Sequence, residues 1–261
     1  MERINMSIYE ITETKCLEKL FEGWQETLIW SCLQGYMGRA YVDSITNPQS
    51  AKIVIGDFCF FAGKANIELV LNKQEVYKSN FIIMIPQHDE WSKLIEQTYK
   101  ENSKKVYRYA IKKEKNIFDI EELTKIVEDI ENEFTIQMID ENVFDQVISN
   151  SWSEDLCSQF NDYEDYRKRG LGVVILKDGI VVSGASSYTV YKEGIEIEID
   201  TRKDYRRRGL ALVCGAKLIL ECLKRGLYPS WDAQNKGSVA LSEKLGYHFD
   251  KEYVAYEIMN Y

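Results

Sequence analysis

The chain has 261 residues, with 33 basic against 42 acidic side chains and a formal net charge of −9. That length suits two moderate domains, and a composition that is 45% hydrophobic supplies enough apolar surface for both cores. The acidic balance argues against a partner held by its phosphate backbone, so no nucleic acid is expected, yet it leaves room for one local pocket around a few phosphates.

Apolar residues at helical spacing, Leu17, Leu20, Phe21, Trp24, Leu28 and Cys32, predict one amphipathic helix near the start. Three strand stretches are expected next, at 51–61, 67–71 and 81–86, then a helix over 89–100 and a strand over 105–111. Asp119 followed by Glu122 has the form of a capping box ahead of Leu123, Ile126, Val127 and Ile130. That charged helix, 119–133, is the expected connection between an N-terminal α+β accessory domain, residues 1–130, and a second domain, residues 131–261. No Pro- or Gly-rich linker marks the boundary, and the first half carries no recognisable catalytic motif.

A strand over 134–139 and a short helix capped by Asp140 open the second half, with more helix around 154–160. Lys177-Asp178-Gly179 joins strands 173–176 and 181–190, and Asp-Gly is a strong hairpin signal. Residues 195–201 alternate cleanly as a strand. A helix over 207–225, a strand over 228–231, a helix over 236–245 and a strand over 253–259 complete the chain.

The six cysteines, Cys16, Cys32, Cys59, Cys157, Cys214 and Cys222, form no C-x-x-C pair, and only two histidines are present. They read as reduced thiols of a cytoplasmic protein, with no metal site expected. The first residues lack the apolar core of a signal peptide, and no apolar run approaches a membrane span, so no membrane association is expected.

Two arginine–glycine segments fit one short pattern. Tyr205-Arg206-Arg207-Arg208-Gly209-Leu210-Ala211 follows a strand and opens a helix. Its unpaired main-chain N–H groups and the helix dipole therefore make an anion site. Gly209 lets the backbone approach a phosphate closely, Ala211 keeps the next turn small, and the three arginines add charge that a pyrophosphate would meet. A solvated basic turn is the plain alternative. Arg167-Lys168-Arg169-Gly170-Leu171-Gly172 leads into a strand instead, and reads as a polar loop without that affinity. Asn235, between a strand end and a helix start, is a helix cap through its side-chain oxygen. Trp231, Leu241, Leu245 and Tyr247 read as core.

The second motif is Trp231-Asp232-Ala233-Gln234-Asn235-Lys236-Gly237-Ser238, continuing through Leu241 to Leu245-Gly246-Tyr247. Together the two motifs, over roughly residues 196–247, resemble the R/Q-x-x-G-x-G/A loop and the N-x-x-S/A-x-x-L…L-G-F/Y segment of the GNAT acyltransferase superfamily. The string IEIDTRKDYRRRGLA…PSWDAQN is similar to the zwittermicin-resistance-type acetyltransferase group. The resemblance implies an α+β chain whose C-terminal half is a mixed twisted sheet flanked by helices. It implies acetyl-CoA as cosubstrate and the amine of a small molecule as acceptor. It further implies coenzyme contacts from Thr201, Arg206, Arg207, Arg208, Gly209, Leu210, Ala211, Asn235 and Ser238. A decayed copy of the same fold is one form open to the N-terminal half.

Acetyl transfer to an amine needs a neutral amine, donors for the developing oxyanion and an exit for the thiolate. In strand 195–201, Glu196, Glu198 and Asp200 share one face and Ile195, Ile197 and Ile199 the other. Three carboxylates on one face repel, so at least one pKa should rise toward neutral if that face lines a cleft. Glu198 is the first candidate base and Glu196 the second, against the alternative of a solvated strand face. Many members of the superfamily carry a Tyr directly after the Leu of the second motif, as the acid for the thiolate. This chain has Ser242 there, so either Tyr247 or a water is the donor or the thiolate leaves unassisted.

Ser242 also motivates another reading, a catalytically weak acyl-CoA-binding sensor or interaction module. In a third, the first half is a partner-binding domain presenting Trp30, Tyr36 and Tyr41. The acceptor's identity and the oligomeric state are left open by the sequence.

Overall fold

The computed structural model describes residues 7–73 and 79–261. Its elements begin with β1 (Tyr9–Ile11), α1 (Thr27–Leu33), β2 (Arg39–Val42), β3 (Ser50–Ile55) and β4 (Phe58–Gly63). Next are α2 (Ile67–Leu71), β5 (Phe81–Pro86), α3 (Asp89–Tyr99), β6 (Ser103–Ile111) and α4 (Ile120–Glu128). The series continues with β7 (Phe134–Met138), α5 (Glu141–Ile148), α6 (Tyr163–Arg169), β8 (Gly172–Lys177), β9 (Ile180–Tyr191) and β10 (Gly194–Thr201). It closes with α7 (Leu210–Lys224), β11 (Tyr228–Ser230), β12 (Asp232–Ala233), α8 (Lys236–Lys244) and β13 (Phe249–Met259). The chain is mixed α+β with mixed sheets and flanking helices, as the sequence leads one to expect. Among the described residues no helix is long and apolar enough to cross a membrane.

Internal packing divides the chain into two units, Met1–Arg108 with Glu252–Tyr261, and Tyr109–Lys251. This division does not follow the boundary expected at residue 130. The reason is long-range strand pairing: β13 returns the C-terminal segment to the first unit, where Tyr256–Met259 pair with Phe81–Met84 of β5.

In the first unit the strand order is β1-β2-β3-β4-β5-β13-β6, with β4 and β5 parallel. Its core includes Tyr41, Phe61, Leu69, Met84, Trp91 and Tyr256. The single helix expected over Leu17–Cys32 is broken. A 3₁₀ turn at Thr14–Leu17 ends in irregular chain, Gly23 takes φ +84°, and α1 starts only at Thr27. A left-handed glycine stops a helix without steric cost. The periodicity still marked burial, since Leu17, Phe21, Leu28 and Cys32 are all in the core. The stretch 67–71, expected as a strand, is α2. Asn66 decides it, because its Oδ1 accepts Glu68 N–H at 2.9 Å and caps the turn. Residues 51–61 form a hairpin of two strands. Tyr41, expected at the surface, is buried with its hydroxyl donated to Glu10.

The second unit holds a five-stranded sheet in the order β11-β10-β9-β8-β7. Asp178 and Gly179 turn the β8–β9 hairpin at φ +52° and +78°, the left-handed pair that matches strand twist. Asp119 and Asp140 cap α4 and α5 by accepting from Glu122 N–H at 3.0 Å and Val143 N–H at 2.9 Å. Helix α7 lies on the isoleucine face of β10, at a distance set by Gly215. A Cβ there would fall 2.7 Å from Leu245 Cδ1 and 3.3 Å from Ile199 Cδ1. Around 154–160 the chain makes only a 3₁₀ turn, Glu154–Leu156. The regular helix comes later, as α6, which Asp162 caps by accepting Asp165 N–H at 2.8 Å.

Candidate active site

All the residues singled out for chemistry lie in the second unit. Strand β10 pairs with β9 along Gly194–Thr201, but with β11 only along Gly194–Glu196. At the same level a β-bulge interrupts the β9 ladder, where the partners step from Thr189 to Ser187 and leave Tyr188 extra. Bulges re-aim a strand and end pairing. β11 turns off at Trp231, and β12 pairs with Tyr109 and Ala110 of β6 instead. From Ile197 onward, β10 therefore has an open edge among the described residues.

Main-chain groups alternate sides along a strand. Glu193 O accepts Tyr228 N–H at 2.8 Å, toward β11, while Arg202 N–H goes to Val182 O of β9 at 3.0 Å. Odd residues thus face β11, and Ile197 and Ile199 turn their N–H and C=O groups to the open edge. Thr201 O follows the same rule and accepts Arg206 Nε–H at 3.0 Å, while its hydroxyl shares a hydrogen bond with Ser183 Oγ at 2.7 Å.

The open edge leads into the glycine loop. Arg207 at φ +65° and Gly209 at φ +80° are both left-handed and flank Arg208, so the backbone curls just before α7. Gly209 is the N-cap, and the helical ladder begins with Leu212 and Val213 N–H to Gly209 O. Leu210 and Ala211 N–H precede that ladder. They are the donors a helix start offers to an anion, and open space lies around Gly209.

The three arginines do not share one task. Arg206 is committed to Thr201 O. Arg208 donates to Glu131 at 2.7 Å and to Glu133, and its guanidinium carbon lies 4.7 Å from the Phe134 ring centroid and 5.8 Å from that of Tyr205. Lys177 holds the other oxygen of Glu133 at 2.8 Å. Hydrogen bonds from Lys177 and Arg208 keep the Glu133 carboxyl down at about 2. Arg207 is exposed, and no hydrogen bond or ion pair ties it to another described residue.

The carboxylate face of β10 also divides. Glu196 is 5% exposed and sits where β10 is still paired on both sides, between Thr189 and Ser230. Glu198 and Asp200 lie on the open segment and are half-buried. Asp200 is the carboxyl that stands out. Burial lifts it to about 6, the charge of Asp155 adds to the rise, and Arg206 opposes it. The 3₁₀ turn that carries Asp155 is seated on the sheet by Gly184, the cross-strand partner of Asp200, where a Cβ would lie 2.6 Å from Leu156 Cδ1. The alternation showed Asp200 on this face. The approach of Asp155 depends on an irregular turn that no periodicity reveals.

In the second motif, Asn235 caps α8 by accepting Ser238 N–H at 3.0 Å. Ser238 Oγ accepts Trp231 Nε1–H at 3.1 Å. Tyr247 is 1% exposed, packs edge-on against Trp231 and donates its hydroxyl to Pro229 O at 2.6 Å. Burial drives its pKa far above the ordinary value. That corrects the suggestion of Tyr247 as an acid, since its proton is held by a core carbonyl. Ser242 is buried and donates to Val239 O at 2.8 Å, one turn back in α8.

The second arginine–glycine segment is the last turn of α6, not a loop, and Gly170 N–H closes it on Tyr166 O at 2.6 Å. Arg169 forks onto Asp165 at 2.6 and 2.7 Å, and Arg167 pairs with Glu164 at 3.0 Å. Carbonyls, not N–H groups, end a helix, so this segment lacks the main-chain donors that a helix start offers an anion.

A sequence model of a family described as GNAT acetyltransferase matches residues 18–256, including most of the first unit. A protein of Bacillus subtilis (strain 168) described as uncharacterized N-acetyltransferase YdfB is 24% identical over 263 residues, which cover 95% of this chain and 98% of that one. A solved structure, the GCN5-related N-acetyltransferase-like protein from Streptococcus suis 89/1591, is 46% identical. It superposes with a TM-score of 0.89 over 94% of this chain and 98% of its own. A GCN5-related N-acetyltransferase from Sphaerobacter thermophilus, 11% identical, shares the fold at a TM-score of 0.59, over 97% and 95% of the two chains. The comparisons reach the level of the superfamily and do not single out a subgroup.

Proposed function

We propose, since this chain belongs to the GNAT acetyltransferase family, that it moves an acetyl group from acetyl-CoA to the amine of a small-molecule acceptor by direct attack. The observation that carries this reading is the continuity of two anion- and amide-binding features. The open edge of β10 offers the main-chain groups of Ile197 and Ile199, and runs straight into the N–H groups that precede α7. The edge suits the amides of a pantetheine arm, and the loop suits a pyrophosphate met by Arg207 and the backbone from Arg207 to Ala211. Acetyl-CoA brings the activated thioester. Thr201, Asn235 and Ser238 act in this reading by shaping the backbone around it, since their side chains already hold Ser183, Ser238 N–H and Trp231.

Direct attack is favoured because all the cysteines of the second unit, Cys157, Cys214 and Cys222, are buried. Burial raises each of these thiols to about 12, the opposite of an activated nucleophile. The acceptor's ammonium proton passes to a carboxylate on the open segment of β10. Asp200, lifted to about 6, is the better matched to that task at neutral pH, with Glu198 beside it on the same face. Glu196, in the paired segment, is the third choice. Release of free thiol from acetyl-CoA across a panel of small amines tests the reading. Failure of coenzyme A to bind at all would overturn it.

One observation favours the second reading, a weak enzyme that serves as an acyl-CoA-binding sensor or interaction module. The hydroxyls of Ser242 and Tyr247 are both committed to backbone carbonyls, so neither can protonate a leaving thiolate. Saturable coenzyme binding without turnover on any amine of the panel would select it.

A further inference from the structure

Of the three consecutive arginines before Gly209, the middle of the left-handed curl belongs to Arg208, and its side chain is the most heavily engaged. Arg207 and Gly209, at φ +65° and +80°, hold it on either side. Its guanidinium reaches Glu131 and Glu133, just before β7, and lies against the rings of Phe134 and Tyr205. Those rings meet edge to face at 6.2 Å, and Arg202, paired with Asp204 at 2.8 Å, lies 4.6 Å from the Tyr205 ring centroid. Lys177 fixes Glu133 from the other side. An isolated exposed ion pair does little, but a network of several charges with stacked rings restricts a backbone. To reach a phosphate, Arg208 would have to leave two carboxylates and two rings together.

We propose that Arg208 is a positioning residue and not a phosphate ligand: through Glu131, Glu133, Phe134 and Tyr205 it holds the 206–209 backbone in the form that presents N–H groups, and the phosphate charge is met by Arg207 and the main chain. The inference rests on the acetyl-CoA reading of this loop. It runs against the simplest view of the sequence, in which all three arginines serve the pyrophosphate alike.

The test turns on a sign. Glu131→Gln with Glu133→Gln removes two negative charges next to an anion site. If Arg208 is a phosphate ligand held back by these carboxylates, the double variant should bind coenzyme A more tightly. If Arg208 positions the loop, the double variant should bind more weakly, by about three- to tenfold (up to about 1.4 kcal/mol), despite the lost repulsion. In turnover the loss should appear in the KM for acetyl-CoA with kcat unchanged, a split that general destabilisation does not produce. Melting of the uncomplexed variant within a few degrees of wild type confirms that the fold is retained. Arg207→Gln should weaken binding and flatten its salt dependence, whereas Arg208→Gln should weaken binding and leave the salt dependence as in wild type. Tighter binding by the glutamine double variant, or a salt dependence flattened by Arg208→Gln, overturns the proposal. A wild-type protein that does not bind coenzyme A removes the acetyltransferase reading itself, and this proposal with it.

Discussion

Two segments of this chain, Arg167–Gly172 and Arg206–Ala211, satisfy the same pattern of arginine, two residues, glycine, one residue and a small residue, yet they are physical opposites. The first is the C-terminal turn of α6, where carbonyls accumulate and each arginine folds back on an acidic residue of its own helix. The second is the N-terminal approach to α7, where two left-handed residues curl the chain and N–H groups precede the ladder. The glycines differ in the same way. Gly209 is required by its φ of +80° with empty space around it, whereas Gly170, with extended backbone, is required because a Cβ would fall 2.6 Å from the Tyr166 ring. One glycine serves a conformation and the other serves packing. The chemistry of such a motif is set by the helix end it occupies.

The largest contrast should come from substituting the two glycines. Gly209→Val puts a β-branched residue in the left-handed region and should abolish the rise in melting temperature that coenzyme A gives the wild type. Gly170→Ala should lower the melting temperature of the free protein and leave that rise unchanged. If both variants lose the rise, or neither does, the contrast between the segments fails.

Asp200→Asn should have the next largest effect, on rate. A reduction in kcat of roughly ten- to ten-thousand-fold is expected for losing one positioned base, and the acid limb of the wild-type profile near pH 6 should go with it. Glu198→Gln measures the neighbouring carboxylate. If it is the crippled variant while Asp200→Asn retains its rate, the base is Glu198. Stability should move the other way. Because the folded pKa of Asp200 is raised, the proton-bound form favours the native state at low pH, and that contribution is lost as pH rises from about 4 through about 6. Asp200→Asn should therefore stabilise the protein at pH 7, by about 2 kcal/mol for a shift of this size after allowance for partial exposure, as read from chemical denaturation.

Arg207→Gln should weaken coenzyme A binding by about threefold to tenfold, the range for one charge-assisted contact. Arg167→Gln, at the other segment, should change it by less than about twofold, within the experimental spread of titration calorimetry. The smallest effect on function belongs to Tyr247→Phe. It removes the hydroxyl that Pro229 O accepts, and should cost about 1 kcal/mol of stability with kcat preserved. A large fall in kcat with unchanged stability would restore Tyr247 as an acid.

Much of the site was legible from the residues because it depends on local chemistry. The alternation of 195–201 placed Glu196, Glu198 and Asp200 on one face, and the order strand, loop, helix marked the turn before α7 that we propose for the pyrophosphate. The caps Asp119, Asp140 and Asn235 were readable for the same reason. What escaped depends on contacts distant in sequence. The end of β11 pairing at Ser230 separates Glu196 from Glu198, and nothing in the local pattern marks that point. The carboxylates that hold Arg208 lie at 131 and 133, just before β7, and Asp155, which acts on Asp200, lies in an isolated 3₁₀ turn. The stretch 67–71 was misread because five apolar-rich residues fit a strand or a buried helix equally, and one asparagine cap decided the outcome.

The most direct measurement is a crystal structure of the protein with coenzyme A. The pyrophosphate should lie within hydrogen-bond distance of the main-chain N–H groups between Arg207 and Ala211, with the pantetheine amides paired with Ile197 and Ile199 and Arg208 still on Glu131 and Glu133. Coenzyme bound at the C-terminal turn of α6, or bound without touching the β10 edge, would contradict this.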